Sequence, residues 1–66
     1  MPEAAYAIDA LNDRINARGI SIAELSRRAN LNGELVRRSL AGDRKLLATE
    51  LISLCKVLEL DIKDFI

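Results

Sequence analysis

Along the first third of the chain the apolar residues Ala4, Ala7, Ile8, Leu11 and Ile15 recur three and four apart, with Asp9, Asp13 and Arg14 between them. That period belongs to an α-helix with one buried face. Gly19 behind it is a helix stop, so the pattern predicts a first helix over about residues 3–18. Ser21 stands three residues before Glu24, the spacing of a capping box, and Ile22, Leu25 and Ala29 supply an inner face for a second helix over 22–29. Asn30 is one of the few non-glycine residues that tolerate a left-handed turn. Leu31 can plug a core from that turn, and Asn32 is a good cap for a third helix over 33–41. On this third helix Val36, Ser39 and Leu40 fall on one side; Glu34, Arg38 and Ala41 fall opposite, flanked by Arg37. Gly42 closes it. Leu47, Leu51, Leu54, Cys55 and Leu58 then trace the inner stripe of a fourth helix ending near Glu59, with Leu60 pinning the exit. Asp61 can cap a fifth, short turn in which Ile62, Phe65 and Ile66 pack back.

The composition agrees with an all-α chain. Half of the 66 residues are apolar, yet Tyr6 and Phe65 are the only aromatic ones, and Ala, Leu and Ile suit helices better than a sandwich of strands. Residues 1–66 are expected to form a single domain. A domain of this size buries only about 60% of its unfolded surface, so its aliphatic core must be efficient. No staple can help it: Cys55 has no second cysteine to pair with, and a chain without histidine offers no zinc-ligand cluster. Cys55 lies on the inner stripe and is expected to be a small core residue. No apolar run approaches the roughly 20 residues of a membrane span. Glu3 and Asp9 stand where a signal peptide would want basic and then apolar residues, so a cytoplasmic protein with no membrane partner is expected. Without histidine there is no Ser-His or Cys-His pair, and no glycine-rich phosphate loop is present. Neither an enzyme nor a cofactor is expected.

The charges cancel over the whole chain but not locally. From Arg27 to Lys45 the six bases Arg27, Arg28, Arg37, Arg38, Arg44 and Lys45 face only Glu34 and Asp43, a net of +4, which leaves −4 for the rest. An acidic body with one basic segment points to an anionic partner at that segment.

Two short helices joined by a tight turn, the second apolar inside and basic outside, make a helix-turn-helix. From Leu11 to Phe65 the order of residues resembles the Cro/CI-type (XRE-like) helix-turn-helix family of bacterial and phage repressors. The resemblance rests on Leu25-Ser26 in the second helix, Asn30-Leu31-Asn32 at the turn, Val36 in the third helix, Leu40-Ala41-Gly42, and Leu54-Cys55-Lys56-Val57-Leu58. It implies a five-helix, lambda-repressor-like domain that binds double-stranded DNA. Four positions depart from the family's usual residues: Ile22, where a backbone-touching glutamine is common; Ser39, where an aliphatic residue is usual and a thinner core is therefore expected; Asn30; and Leu47, where Ser or Thr often caps.

With the third helix in a major groove, a carboxylate can accept from cytosine N4 and an arginine can fork onto guanine O6 and N7. Glu34 and Arg38 are therefore the candidate base readers. Gly33 joins them because it lets backbone approach DNA closely. Ser21, Asn32, Arg37, Arg44 and Lys45 are the candidate phosphate contacts. Glu34 and Arg38 are also spaced for an intrahelical salt bridge. Arg27 and Arg28 point about 100° apart, and one of them is expected to lie along the surface or pair with an acid of the first helix. One helix reads few base pairs, so a homodimer on a pseudo-palindromic site is expected. Phe65 with Ile66, or Ile52 with Val57, are candidates for its interface. The alternative is a protein-binding module, an antitoxin or antirepressor subunit, that keeps the fold with weak or no DNA binding and engages a protein partner instead.

Overall fold

The computed structural model describes residues 3–61 and 63. Among them the chain forms four helices and no strand: α1 (Glu3–Arg18), α2 (Ile22–Ala29), α3 (Gly33–Leu40) and α4 (Ala48–Leu58). The expected fifth helix is therefore not among the described elements. At its start Asp61 does act as a cap, accepting the Lys63 N–H at 3.0 Å, whereas Ile62, Phe65 and Ile66, like the side chain of Ala4, lie outside the described residues.

α2 packs against both α3 and α4, and α1 closes the bundle against the same two helices. The core is one aliphatic cluster of Leu11, Ile15, Leu25, Val36, Leu40, Leu54 and Leu58, contributed by all four helices. Cys55 is buried beside Ala7 in a smaller cluster at its edge, the core position expected of it. Two positions on the predicted stripes differ. Leu47 is 52% exposed and Leu46 packs on the core in its place. The reason is that α4 begins only at Ala48, so Leu47 is a non-helical cap residue that does not follow the helix period. Ile8 is half-buried, lining a shallow cleft between α1 and the end of α3.

The later helix ends are closed by local chemistry. Asn30 adopts the left-handed conformation (φ 59°, ψ 43°), and the Leu31 and Asn30 amides return to the carbonyls of Ser26 and Arg27. Gly42 (φ 87°) ends α3 in the same way, with the Asp43 amide on Arg38 O at 2.9 Å. At the end of α4 the left-handed residue is Glu59, a costly choice for a side chain with a Cβ. Arg18 reaches over from α1 to hold it, donating to Leu58 O at 3.1 Å and to Glu59 Oε1 at 3.2 Å. Asn12 does the equivalent for α3, its Nδ2 donating to Leu40 O.

Ser39, expected to thin the core, instead anchors a polar clamp. Its side chain is fully buried and its Oγ accepts from Arg44 Nη1 at 2.8 Å. The same guanidinium forks onto Glu50, at 3.1 Å to Oε1 and 3.0 Å to Oε2. Glu50 Oε1 in turn accepts the Leu47 N–H at 2.9 Å, half of a capping box, so that α4 starts without a Ser or Thr cap. This clamp ties the inner side of α3, the loop after it and the first turn of α4 into one unit.

Two predictions follow from this packing. Leu25→Ala and Val36→Ala each empty a site that is at most 1% exposed. The first should cost about 2–4 kcal/mol and the second about half as much, and in a domain this small either can approach the whole stability. Denaturant melts measure this, and melts that coincide with the parent's would contradict the core assignment. The second concerns acid. Arg44, and then the Leu47 N–H, hold the Glu50 carboxyl below its ordinary 4.5. The unfolded chain therefore takes up this proton first, so the stabilisation is complete above about pH 4.5 and fades as pH falls through the folded value. Glu50→Gln should lose about 1–3 kcal/mol at pH 7, and the gap to the parent should narrow in acid. A gap that stays constant down to pH 3, roughly the lower edge of carboxylate titration, would show that the clamp does not titrate.

Candidate nucleic-acid interface

The turn between α2 and α3 is fixed from both sides. The left-handed Asn30 ends α2, Leu31 packs its side chain on the core, and Asn32 caps α3, its Oδ1 accepting from the amides of Glu34 at 2.9 Å and Leu35 at 3.1 Å. Ser26 lies at the close approach of the two helices. It is buried, and its hydroxyl is satisfied by Ile22 O at 2.7 Å. A Cβ at Gly33 would meet Ser26 at 3.8 Å, ordinary contact. A side chain at Gly33 would thus point toward α2. What Gly33 presents at the open end of α3 is backbone, and the Asn32 cap takes the next two amides rather than its own.

With Val36, Ser39 and Leu40 buried, α3 turns Glu34, Leu35, Arg37 and Arg38 to solvent. The Glu34–Arg38 salt bridge that the spacing allows is not the one formed. Glu34 is gripped by Arg37, three residues on, with Arg37 Nε on Oε1 at 3.2 Å and Nη2 on Oε2 at 2.5 Å. The fork of Arg37 can take both carboxylate oxygens from that side of the helix, and this pairing holds the Glu34 carboxyl below its ordinary value, with Arg38 adding a weaker, longer-range pull. Arg38 itself makes no ion pair among the described residues.

The two arginines of α2 lie exposed along the surface, one of the two alternatives expected for them. Neither reaches an acid of α1, because Glu24, one turn back on their own helix, takes both: Arg27 Nη2 on its two carboxylate oxygens and Arg28 Nε on Oε2 at 2.7 Å. The hydrogen bonds from these two arginines, Arg27's first, hold the Glu24 carboxyl below its ordinary value. The signal was in the sequence, since Glu24 stands three and four residues before the pair. Ser21 caps α2 by accepting the Glu24 N–H at 3.0 Å. In both Ser21 and Asn32 the cap uses the acceptor oxygen, and the hydroxyl and the Nδ2 group keep their donors for an outside acceptor.

Arg44 and Lys45 are adjacent in the loop after α3 but sit differently. The Arg44 side chain is 23% exposed and committed to Glu50 and Ser39, so a phosphate contact from it would have to share or open the clamp. Lys45 is exposed and has no ion pair among the described residues. Of the six bases between Arg27 and Lys45, then, four are paired, and Arg38 and Lys45 are the two left over. Leu35, 36% exposed beside Glu34, is an apolar member of the same surface that the periodicity had not marked.

A helix of eight residues is carried here across a second helix of eight by a three-residue turn, its inner side buried and its outer side polar and basic. Comparison with protein families gives the same answer: the model of the Cro/C1-type HTH DNA-binding domain matches residues 10–66, from within α1 through the turn and all the later helices. No significant match was found among curated proteins or among solved structures. The family match and the geometry of α2, the turn and α3 agree, and the chain belongs to the Cro/C1-type helix-turn-helix DNA-binding domain family.

Proposed function

We propose that this protein is a sequence-specific regulator of transcription that lays α3 in the major groove of double-stranded DNA, with α2 across the phosphate backbone. The observation that supports this most is the state of α3. It is held at its start by Asn32, inside by Val36 and Leu40 and near its end by the Ser39–Arg44–Glu50 clamp, while Arg38 on its outer side is left without an ion pair. A fixed helix with an unengaged guanidinium is what bidentate reading of guanine requires.

In this reading Arg38 and Glu34 address base edges, and the Gly33 backbone lies at the groove end of the helix. Ser21, Asn32 and Lys45 hold phosphates with the donors described above. The small footprint of one helix favours a homodimer on a pseudo-palindromic site, where half-site centres about 34 Å apart would place two copies of α3 in successive major grooves; bound there, it would repress by covering a promoter. Ile52, 44% exposed on α4, is available to an interface between copies, whereas Val57 packs on the core. Four paired bases in a neutral chain lower the general pull on polyanions, and this observation favours the rival reading, a protein-binding module of the antitoxin or antirepressor kind. Titration with operator-length duplexes of mixed sequence at low and moderate salt separates the two. A DNA reader binds with a steep salt slope, and the rival binds at neither salt.

The same reading distinguishes two residues. Arg38→Ala should relax preference at one position of each half-site and cost about 1–3 kcal/mol on the best site, with a smaller loss on scrambled DNA. Lys45→Ala should weaken all sequences by a similar factor and make the salt dependence shallower by roughly one ion per copy. Selection from a random pool with each variant, followed by binding isotherms at several salt concentrations, measures both. An even loss for Arg38→Ala together with a changed preference for Lys45→Ala would contradict the placement of α3.

A further inference from the structure

Glu34 raises an electrostatic difficulty. It is a carboxylate on the side of α3 that the proposed function sets against DNA, where phosphates make an unneutralised anion costly. The structure supplies its counter-charge from within the helix. Arg37 grips both oxygens, at 3.2 Å and 2.5 Å, and Asp43 beyond adds to the field that Arg37 feels. A carboxylate has about four acceptor sites. The fork of Arg37 occupies one on each oxygen and leaves the others open. In water an exposed pair of this kind adds little to folding, but enclosed in a groove it loses its competing solvent and becomes an oriented acceptor.

We infer that Glu34 and Arg37 act as one unit: Arg37 is a positioning residue, not a phosphate contact in its own right, and it holds the Glu34 carboxylate charged, neutralised and aimed to accept from the N4 amino group of a cytosine. Cytosine is the base chosen by this chemistry because its own major-groove edge offers a donor without an acceptor, whereas adenine sets N7 beside its N6 amino group and would repel the second carboxylate oxygen. The i to i+3 grip is also what leaves Arg38 unpaired, so one acceptor and one donor fork stand a turn apart on the same helix. The inference rests on the DNA-reading function proposed above and assigns Arg37 a different part in it.

The test is a double-mutant cycle in the full chain, using duplexes selected from a random pool by the parent protein. Glu34→Gln, Arg37→Ala, their combination and Arg37→Lys are each titrated with the selected duplex and with duplexes changed at each position in turn, circular dichroism confirming unchanged helix content. The parent should prefer cytosine at one position of each half-site, and Glu34→Gln should erase that preference. Arg37→Ala should reduce it by about tenfold, and in the Glu34→Gln background the same change should have an effect of less than about threefold, the non-additivity of a coupled pair. Arg37→Lys, with one charge but no fork, should recover only part of the preference. Effects of Arg37→Ala that are equal on all duplexes, additive with Glu34→Gln and accompanied by a shallower salt slope would make Arg37 a phosphate contact and overturn the inference. A parent protein that binds no duplex selectively would remove the DNA-reading function itself, and with it this inference, whereas additivity in a selective parent overturns the pairing alone.

Discussion

An eight-residue helix is too short to hold its own shape in water, since nucleation is costly and two turns return few hydrogen bonds. Nearly everything in this fold bears on that constraint as it applies to α3. The left-handed Asn30 and the Asn32 cap set where it begins. Val36 and Leu40 sink its inner side into a core shared with every other helix. Asn12 and Gly42 close its far end, and the clamp of Ser39, Arg44 and Glu50 stops it from rotating against α4. A helix held at so many points presents its outer residues in fixed positions, which is the condition for reading a groove.

The second organising feature is how the chain handles its positive charge. The basic segment is not a uniform patch. Glu24 pairs with both arginines of α2 and offsets one of their two charges, Glu34 takes Arg37, and Glu50 draws Arg44 inward to structural work. A domain built this way keeps little charge for indiscriminate attraction to polyanions, and its selectivity has to come from the geometry of a few side chains.

Much of this was legible in the residues themselves wherever the controlling chemistry is local. Ser21, Asn30, Asn32 and Gly42 mark helix boundaries because capping and left-handed turns depend on the side chain in place, and each performs the role its type implies. The buried face of α3 was legible for the same kind of reason, as a matter of period. What was not legible needed either tertiary contact or a choice between equal options. Leu46 and Leu47 are identical in type, and only the start of α4 decides which one the core takes. Glu34 had arginines three and four residues on, and spacing alone does not rank them. The clamp joins residues five and six apart across a loop and a helix start, so Ser39 looked like a defect until Arg44 was placed beside it.

The central claim, that α3 is the element set into the groove, is most directly tested by heteronuclear NMR of the protein titrated with its selected duplex. The amide and side-chain signals of Ser21, Asn32 to Glu34, Arg37, Arg38 and Lys45 should shift or broaden together, while those of the middle of α1 are unmoved by DNA. Perturbations centred on α1, with the signals of α3 unchanged, would contradict it.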